Sequence, residues 1–199
     1  MPPEPDAAAE LRVRILAGAA RCIERWSVSK ATLSDVAAEA GVSRATLYRT
    51  FPGGRDEVLQ ALVQHEMALF FGQLAELIED SPDLATLLTD GLMRANLMLR
   101  EHRLYQRVMA TEPELILPLL TTEGTRLREL IGAYLAPWVE REGVAPGPEA
   151  TALRDYLARM VLSFIETPGG WDMDDRASVG TLVDSRFMAP IRHAADARR

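Results

Sequence analysis

The chain has 199 residues, of which 48% are hydrophobic and 26% charged, with a net charge of −7, the balance of a folded protein rather than a disordered or fibrous one. Its longest uncharged apolar stretch, Leu130 to Val139, is about half of the roughly 20 residues a bilayer span needs, and the proline-rich acidic start, Met1 to Asp6, is unlike an export signal, so a cytoplasmic protein without a membrane partner is expected. The lone Cys22 and three scattered histidines (His65, His102, His193) argue against a disulfide, a metal site or a redox cofactor.

Apolar residues recur at helical spacing from end to end, and no stretch alternates convincingly between turn signals, which predicts an all-α fold of about nine helices. The first covers about Ala8 to Trp26, with Leu16, Ala19, Ala20, Ile23 and Trp26 on one side. Thr32 is a suitable N-cap for a short helix from Leu33 to about Ala40, which Gly41 ends. A third starts after Ser43 and stops at Phe51, because Pro52 cannot continue it and Gly53 and Gly54 follow. The fourth, roughly Arg55 to Asp80, opens with Asp56 and Glu57, carboxylates suited to the positive end of a helix dipole. Longer helices follow over Asp83 to Glu101, Pro118 to Glu142 with a kink at Pro137, Glu149 to Thr167 and Arg176 to Ala194, with a short one over Arg103 to Ala110. The expected division is an amino-terminal domain over 1–54 and a helical bundle over 55–199.

The net charge hides an asymmetry. Between residues 11 and 55, Arg12, Arg14, Arg21, Arg25, Lys30, Arg44, Arg49 and Arg55 stand against Glu24, Asp35 and Glu39, a balance of +5 that leaves −12 on the remainder. Such a distribution fits a nucleic-acid module on an acidic body, and a chance cluster of charge fits it equally well. The stretch from Thr32 to Phe51 carries more. Two short helices joined by three residues cross steeply, which demands a small residue at the contact, a glycine at the turn and apolar residues that lock the pair. Ala37, Gly41, Val42 and Leu47 supply these in order. At about 100° per residue, Leu47, Thr50 and Phe51 share one side of the third helix, while Arg44, Ala45, Thr46, Tyr48 and Arg49 occupy the other. That short basic arc suits the major groove, where an arginine fork pairs with guanine and hydroxyls reach phosphates or base edges.

On these residues the segment 11–60 resembles the amino-terminal domain of the tetracycline-repressor (TetR-like) family of bacterial transcription regulators. Thr32, Asp35, Val36, Ala37, Ala40, Gly41, Val42, Ser43, Leu47, Tyr48 and Phe51 stand in the register of the family pattern. The family usually places a phosphate-contacting lysine soon after the phenylalanine; here Phe51-Pro-Gly-Gly-Arg-Asp-Glu offers Arg55 one residue later. The resemblance implies a ligand-responsive DNA-binding transcriptional regulator, a homodimer that represses from a palindromic double-stranded operator until an apolar small molecule releases it. A ligand-binding or protein-interaction module on the same fold that has lost DNA recognition is the alternative. Arg44 and Thr46 are expected at base edges, unless Arg44 pairs with Glu39. Ala45 lies in the same arc, and Arg49 serves groove or backbone. Tyr48, Thr32 and Ser43 are expected on phosphates, although Thr32 and Ser43 would be needed as helix caps without any DNA.

In the acidic body, Leu153, Leu157, Met160, Val161 and Phe164 form one apolar stripe, and Val179, Leu182, Val183, Phe187 and Ile191 another. Two such helices per subunit build a four-helix interface, or are spent inside one subunit; the resemblance favours a dimer on Leu157, Met160, Val161, Phe164, Val183 and Phe187. The middle helices carry Met67, Phe70, Leu74, Leu92, Met98, Leu104 and Met109, which read as core or as the wall of a ligand pocket. The resemblance implies a cavity, with Phe71, Met93, Asn96, Leu97, Tyr105, Gln106 and Tyr134 as its expected lining. With no carboxylate cluster or basic cage nearby, a neutral or acyl-type ligand is expected. An enzyme is not: no nucleophile–base spacing, HExxH helix or glycine-rich phosphate loop is present. Asp172, Asp174 and Asp175 lack the glycine and distal glutamate of a calcium loop and read as a solvated linker. Cys22 reads as a small core residue.

Overall fold

Every regular element among the described residues is helical. The computed structural model describes residues 5–196, the side chains of 5, 6 and 116–122 excepted. Its helices are α1 (Pro5–Trp26), α2 (Leu33–Glu39), α3 (Arg44–Thr50), α4 (Gly54–Ile78), α5 (Leu84–Glu101), α6 (Arg103–Thr111), α7 (Pro113–Arg141), α8 (Pro148–Glu166), α9 (Arg176–Val183) and α10 (Ala189–Asp196), with a π turn (Asp184–Met188) between the last two. None of them is long and apolar enough to cross a membrane. α7 starts at Pro113 rather than Pro118, since a proline in the first turn lacks only an N–H that would have had no partner there.

The expected last helix is divided, which makes ten helices rather than nine. Val179, Val183, Phe187 and Ile191 recur at every fourth residue, and in an α-helix each such step drifts by about 40°, or about 120° over three steps. The wider winding of the π turn, in which Ala189 N–H donates to the Asp184 carbonyl, takes up the drift. All four side chains are consequently buried. Pro190 belongs to the same event: it lacks an N–H and would crowd the carbonyl of Arg186 in an α-helix. That oxygen instead accepts the Tyr156 hydroxyl at 3.1 Å.

The chain forms two compact units, Met1–Phe70 with Glu101–Thr122, and Phe71–Arg100 with Glu123–Arg199. The core of the first draws Ile15, Leu16 and Ile23 from α1, Val36 and Ala37 from α2, Leu47 and Phe51 from α3 and its end, and Val58 and Leu62 from α4. Leu104 and Val108 of α6 complete it. The unit therefore reaches beyond residues 1–54, because α6 returns to pack on α1. α1 meets α2 at Gly18, where an added Cβ would lie 3.1 Å from Ala40 Cβ. Cys22 lies in this core, where burial pushes its thiol pKa up and keeps it an unreactive thiol. Trp26, expected on the buried side of α1, is exposed instead, with the Arg25 guanidinium 5.1 Å from its ring.

In the second unit α5 contributes Leu84, Leu87, Leu88 and Leu92 and α8 contributes Leu153 and Leu157 to the buried interior. The acidic linker is tied down rather than merely solvated. Asp174 accepts from Arg100 at 3.0 Å, Arg176 reaches Asp90, Asp175 caps α9, and Met173 is buried between them in sequence. Among the described residues no group of acidic, histidine or cysteine side chains has the geometry to hold a metal ion.

Candidate nucleic-acid interface

Two hydroxyl caps set the start of each helix in the pair. Thr32 Oγ1 accepts the Asp35 N–H at 3.2 Å, while the Thr32 N–H and hydroxyl both donate to Asp35 Oδ2, at 3.1 and 2.5 Å. This reciprocal box holds the Asp35 carboxyl below its ordinary pKa, through the Thr32 hydroxyl first and its N–H second. The turn passes through Gly41 at φ +66°, a conformation that favours glycine, and Val42 N–H closes it on Ala37 O at 2.9 Å. Ser43 Oγ then caps α3 by accepting the Thr46 N–H at 3.0 Å.

α3 is pinned by Leu47 and followed by Phe51, both fully buried. The Arg12 guanidinium lies 4.3 Å from the Phe51 ring centroid and covers it from α1. With that face fixed, Arg44, Ala45, Tyr48 and Arg49 turn outward, Tyr48 at 43% exposure. Thr46 is half-buried and its hydroxyl meets Ser43 Oγ at 2.9 Å, so it sits at the edge of the arc. Gly54, at φ +67°, opens α4 beside the tyrosine, and a Cβ there would lie 3.9 Å from Tyr48 Cε1.

The eight basic residues divide by what they touch. Arg21 Nε reaches Glu39 Oε1 at 2.7 Å and Arg21 Nη2 reaches the Glu39 carbonyl at 3.2 Å, so the carboxylate weighed as a partner for Arg44 is engaged by α1. Arg12 and Arg25 lie on aromatic rings. Arg55, expected on a phosphate, is half-buried and donates from Nη2 to the Val28 carbonyl at 2.5 Å. A phosphate contact would require it to leave that oxygen. Arg14, Lys30, Arg44 and Arg49 remain as exposed cations of the segment. Thr32 is exposed, with its proton held by Asp35.

The residues singled out in the body are distributed as follows. Leu157, Val183 and Phe187 are fully buried in the second unit's own interior, while Met160, Val161 and Phe164 are half-buried and keep surface. The Phe164 and Phe187 rings stack tilted, 6.1 Å apart. Phe71 and Met93 are half-buried, Asn96 is buried, and Leu97 and Tyr134 are exposed, all five in the second unit. Tyr105 and Gln106 belong to the first. The contacts that sequence reading missed join distant segments: His102 Nε2 lies 3.2 Å from Glu66 Oε2, and Glu112 meets Ser29. Neither has a local sequence signal.

Residues 15–62 match the family model described as bacterial regulatory proteins of the tetR family. Over 56 residues the chain is 41% identical to an uncharacterised HTH-type transcriptional regulator of Mycobacterium bovis, a match spanning 28% of this chain and 30% of that protein. The curated relatives it matches are thus covered over less than a third of their length. The crystal structure of the TetR-family repressor AlkX from Dietzia sp. strain DQ12-45-1b, implicated in biodegradation of n-alkanes, superimposes with a TM-score of 0.64 at 25% identity, over 90% of this chain and 96% of that one. RolR bound to resorcinol shares the fold, with a TM-score of 0.60 at 16% identity over 96% of both chains.

Proposed function

We propose that this chain, which belongs to the TetR family of bacterial regulatory proteins, is a dimeric repressor that reads a palindromic operator through α3 and leaves it when an apolar small molecule binds. The observation that carries the reading is the outward arc of Arg44, Ala45, Tyr48 and Arg49 on a helix locked from behind by Leu47 and Phe51. An arginine at the start of such a helix can offer its fork to a guanine edge, and the flanking hydroxyl and phenol fix register on the backbone. Arg44 and Thr46 are assigned to bases, Tyr48, Thr32 and Ser43 to phosphates, and Arg49 to either.

A palindrome demands two copies with their recognition helices about one duplex turn apart, roughly 34 to 36 Å. Met160, Val161 and Phe164 are the residues of the α8 stripe with surface left for a partner, and the buried Leu157, Val183 and Phe187 support them from within. Similarity to AlkX, itself implicated in n-alkane biodegradation, supports an apolar effector, which Phe71, Met93, Leu97 and the polar Asn96 and Tyr134 would receive, with Tyr105 and Gln106 as further contacts. Effector and operator must then weaken each other's binding by the same factor.

Selection of bound duplexes from a random pool tests the reading. The expected product is an inverted repeat whose preference relaxes in Arg44→Ala, at a cost of about 1 to 3 kcal/mol. Failure to retain any duplex at low ionic strength would overturn it.

A further inference from the structure

The loop between α1 and α2 holds one peptide unit between two charges brought from elsewhere in the chain. The oxygen of the Val28–Ser29 peptide accepts from Arg55 Nη2, on the first turn of α4, at 2.5 Å. The hydrogen of the same peptide points the other way and donates to both carboxylate oxygens of Glu112, at the α6–α7 junction, at 3.2 and 3.1 Å. Ser27, one residue earlier, has φ +103°, a conformation an L-residue keeps only where its surroundings hold it. Val28 is fully buried, and Ala31 N–H returns to the Ser27 carbonyl at 3.1 Å, so the loop is fixed right up to Thr32, the N-cap of α2.

The geometry points to a charge clamp: Arg55 and Glu112 grip opposite edges of the Val28–Ser29 peptide, and so act as positioning residues that fix how α2, and α3 behind it, are presented to an operator. The proposal rests on the operator-reading role above for what is positioned, but not for the clamp itself. Hydrogen bonds to charged groups are the stronger kind, and a flip of this peptide would forfeit both at once. The carboxyl of Glu112 is held below its ordinary pKa by Ser29, consistent with a charged grip. α4 and α6 therefore reach the recognition pair through one backbone plane rather than through separate contacts.

Glu112→Ala gives a test in which the clamp and simple electrostatics predict opposite signs. Removing a negative charge from a duplex binder would by itself strengthen binding. Loss of the clamp instead weakens it, by about tenfold or more given the usual strength of a charged hydrogen bond. Arg55→Met is expected to lose a similar factor while leaving the salt dependence of binding unchanged, whereas loss of a phosphate contact would lower the log–log slope by about 0.9. Operator affinity that rises or holds in Glu112→Ala, or a reduced salt slope in Arg55→Met, would overturn the clamp. If Glu112→Ala does not fold, Glu112→Gln, which keeps one acceptor without the charge, is expected to lose a smaller factor. If the wild-type protein retains no duplex, the regulator reading fails and the clamp is judged by amide exchange alone. Faster exchange at Ser29 in either Glu112 variant supports it, and unchanged exchange refutes it.

Discussion

Leu104→Ala tests whether α6 belongs to the core under the recognition helices. Leu104 is 9% exposed and packs in the same cluster as Ile15, Leu16 and Phe51. Burial of nearly the whole side chain puts the truncation in the usual range for core leucines, about 2 to 5 kcal/mol, and its residual exposure favours the lower half, about 2 to 3.5 kcal/mol. Native-state hydrogen exchange reads this directly, because the slowest amides of α1 should open more readily by the same free energy, roughly 30- to 300-fold faster. Leu97→Ala is the control. Leu97 is 46% exposed, and a surface truncation of that kind should change stability by no more than about 0.5 kcal/mol. If Leu104→Ala speeds exchange in α6 while α1 and α3 keep their protection, α6 is an appendage and its assignment to the amino-terminal core is mistaken.

Acid should loosen α2. The Asp35 carboxyl is held below its ordinary pKa by Thr32, so its contribution is complete above the ordinary carboxylate value and is lost as pH falls through the depressed one. Amide exchange in α2 should rise over that acidic window in the wild type, and a flat profile there would contradict the capping box. Tyr156→Phe leaves the Arg186 carbonyl with water as its replacement partner, since Pro190 has no N–H to give. The expected loss is about 0.5 to 1 kcal/mol, measured by denaturant midpoint at constant m-value, and an unchanged midpoint would show the bond to be idle.

Much of the recognition pair was legible because its demands are local. Thr32 and Ser43 as caps, Gly41 at the turn and Leu47 and Phe51 facing inward follow from spacing within twenty residues, and the structure places each accordingly. The fate of the basic residues was not legible. Charge counting treats Arg21, Arg44 and Arg55 alike, yet Arg21 takes Glu39 and Arg55 takes a carbonyl on the α1–α2 loop, pairings that depend on how α1 and α4 cross the motif. The apolar stripes of α8 and α9 showed the reverse limit. Periodicity marked Leu157 and Phe187 as facing something, and only packing decides that they face their own subunit's interior. Glu112 had no signal at all, since its partner lies in another segment and an acidic residue between helices is ordinarily a solvated one.

The unusual winding at Asp184–Met188 has a bearing on how this chain can vary. Exchanging side chains there alters only local fit, whereas deleting a single position would let the segment tighten to ordinary winding and swing everything after it by about 100° around the axis. Ile191 and Ala194, now in the interior, would be carried towards water, and Arg192 would be drawn away from Asp184, which it meets at 2.8 Å. The carboxy-terminal segment is thus tolerant of new residues but fixed in length, and a relative shorter by one here would need its apolar residues shifted in step.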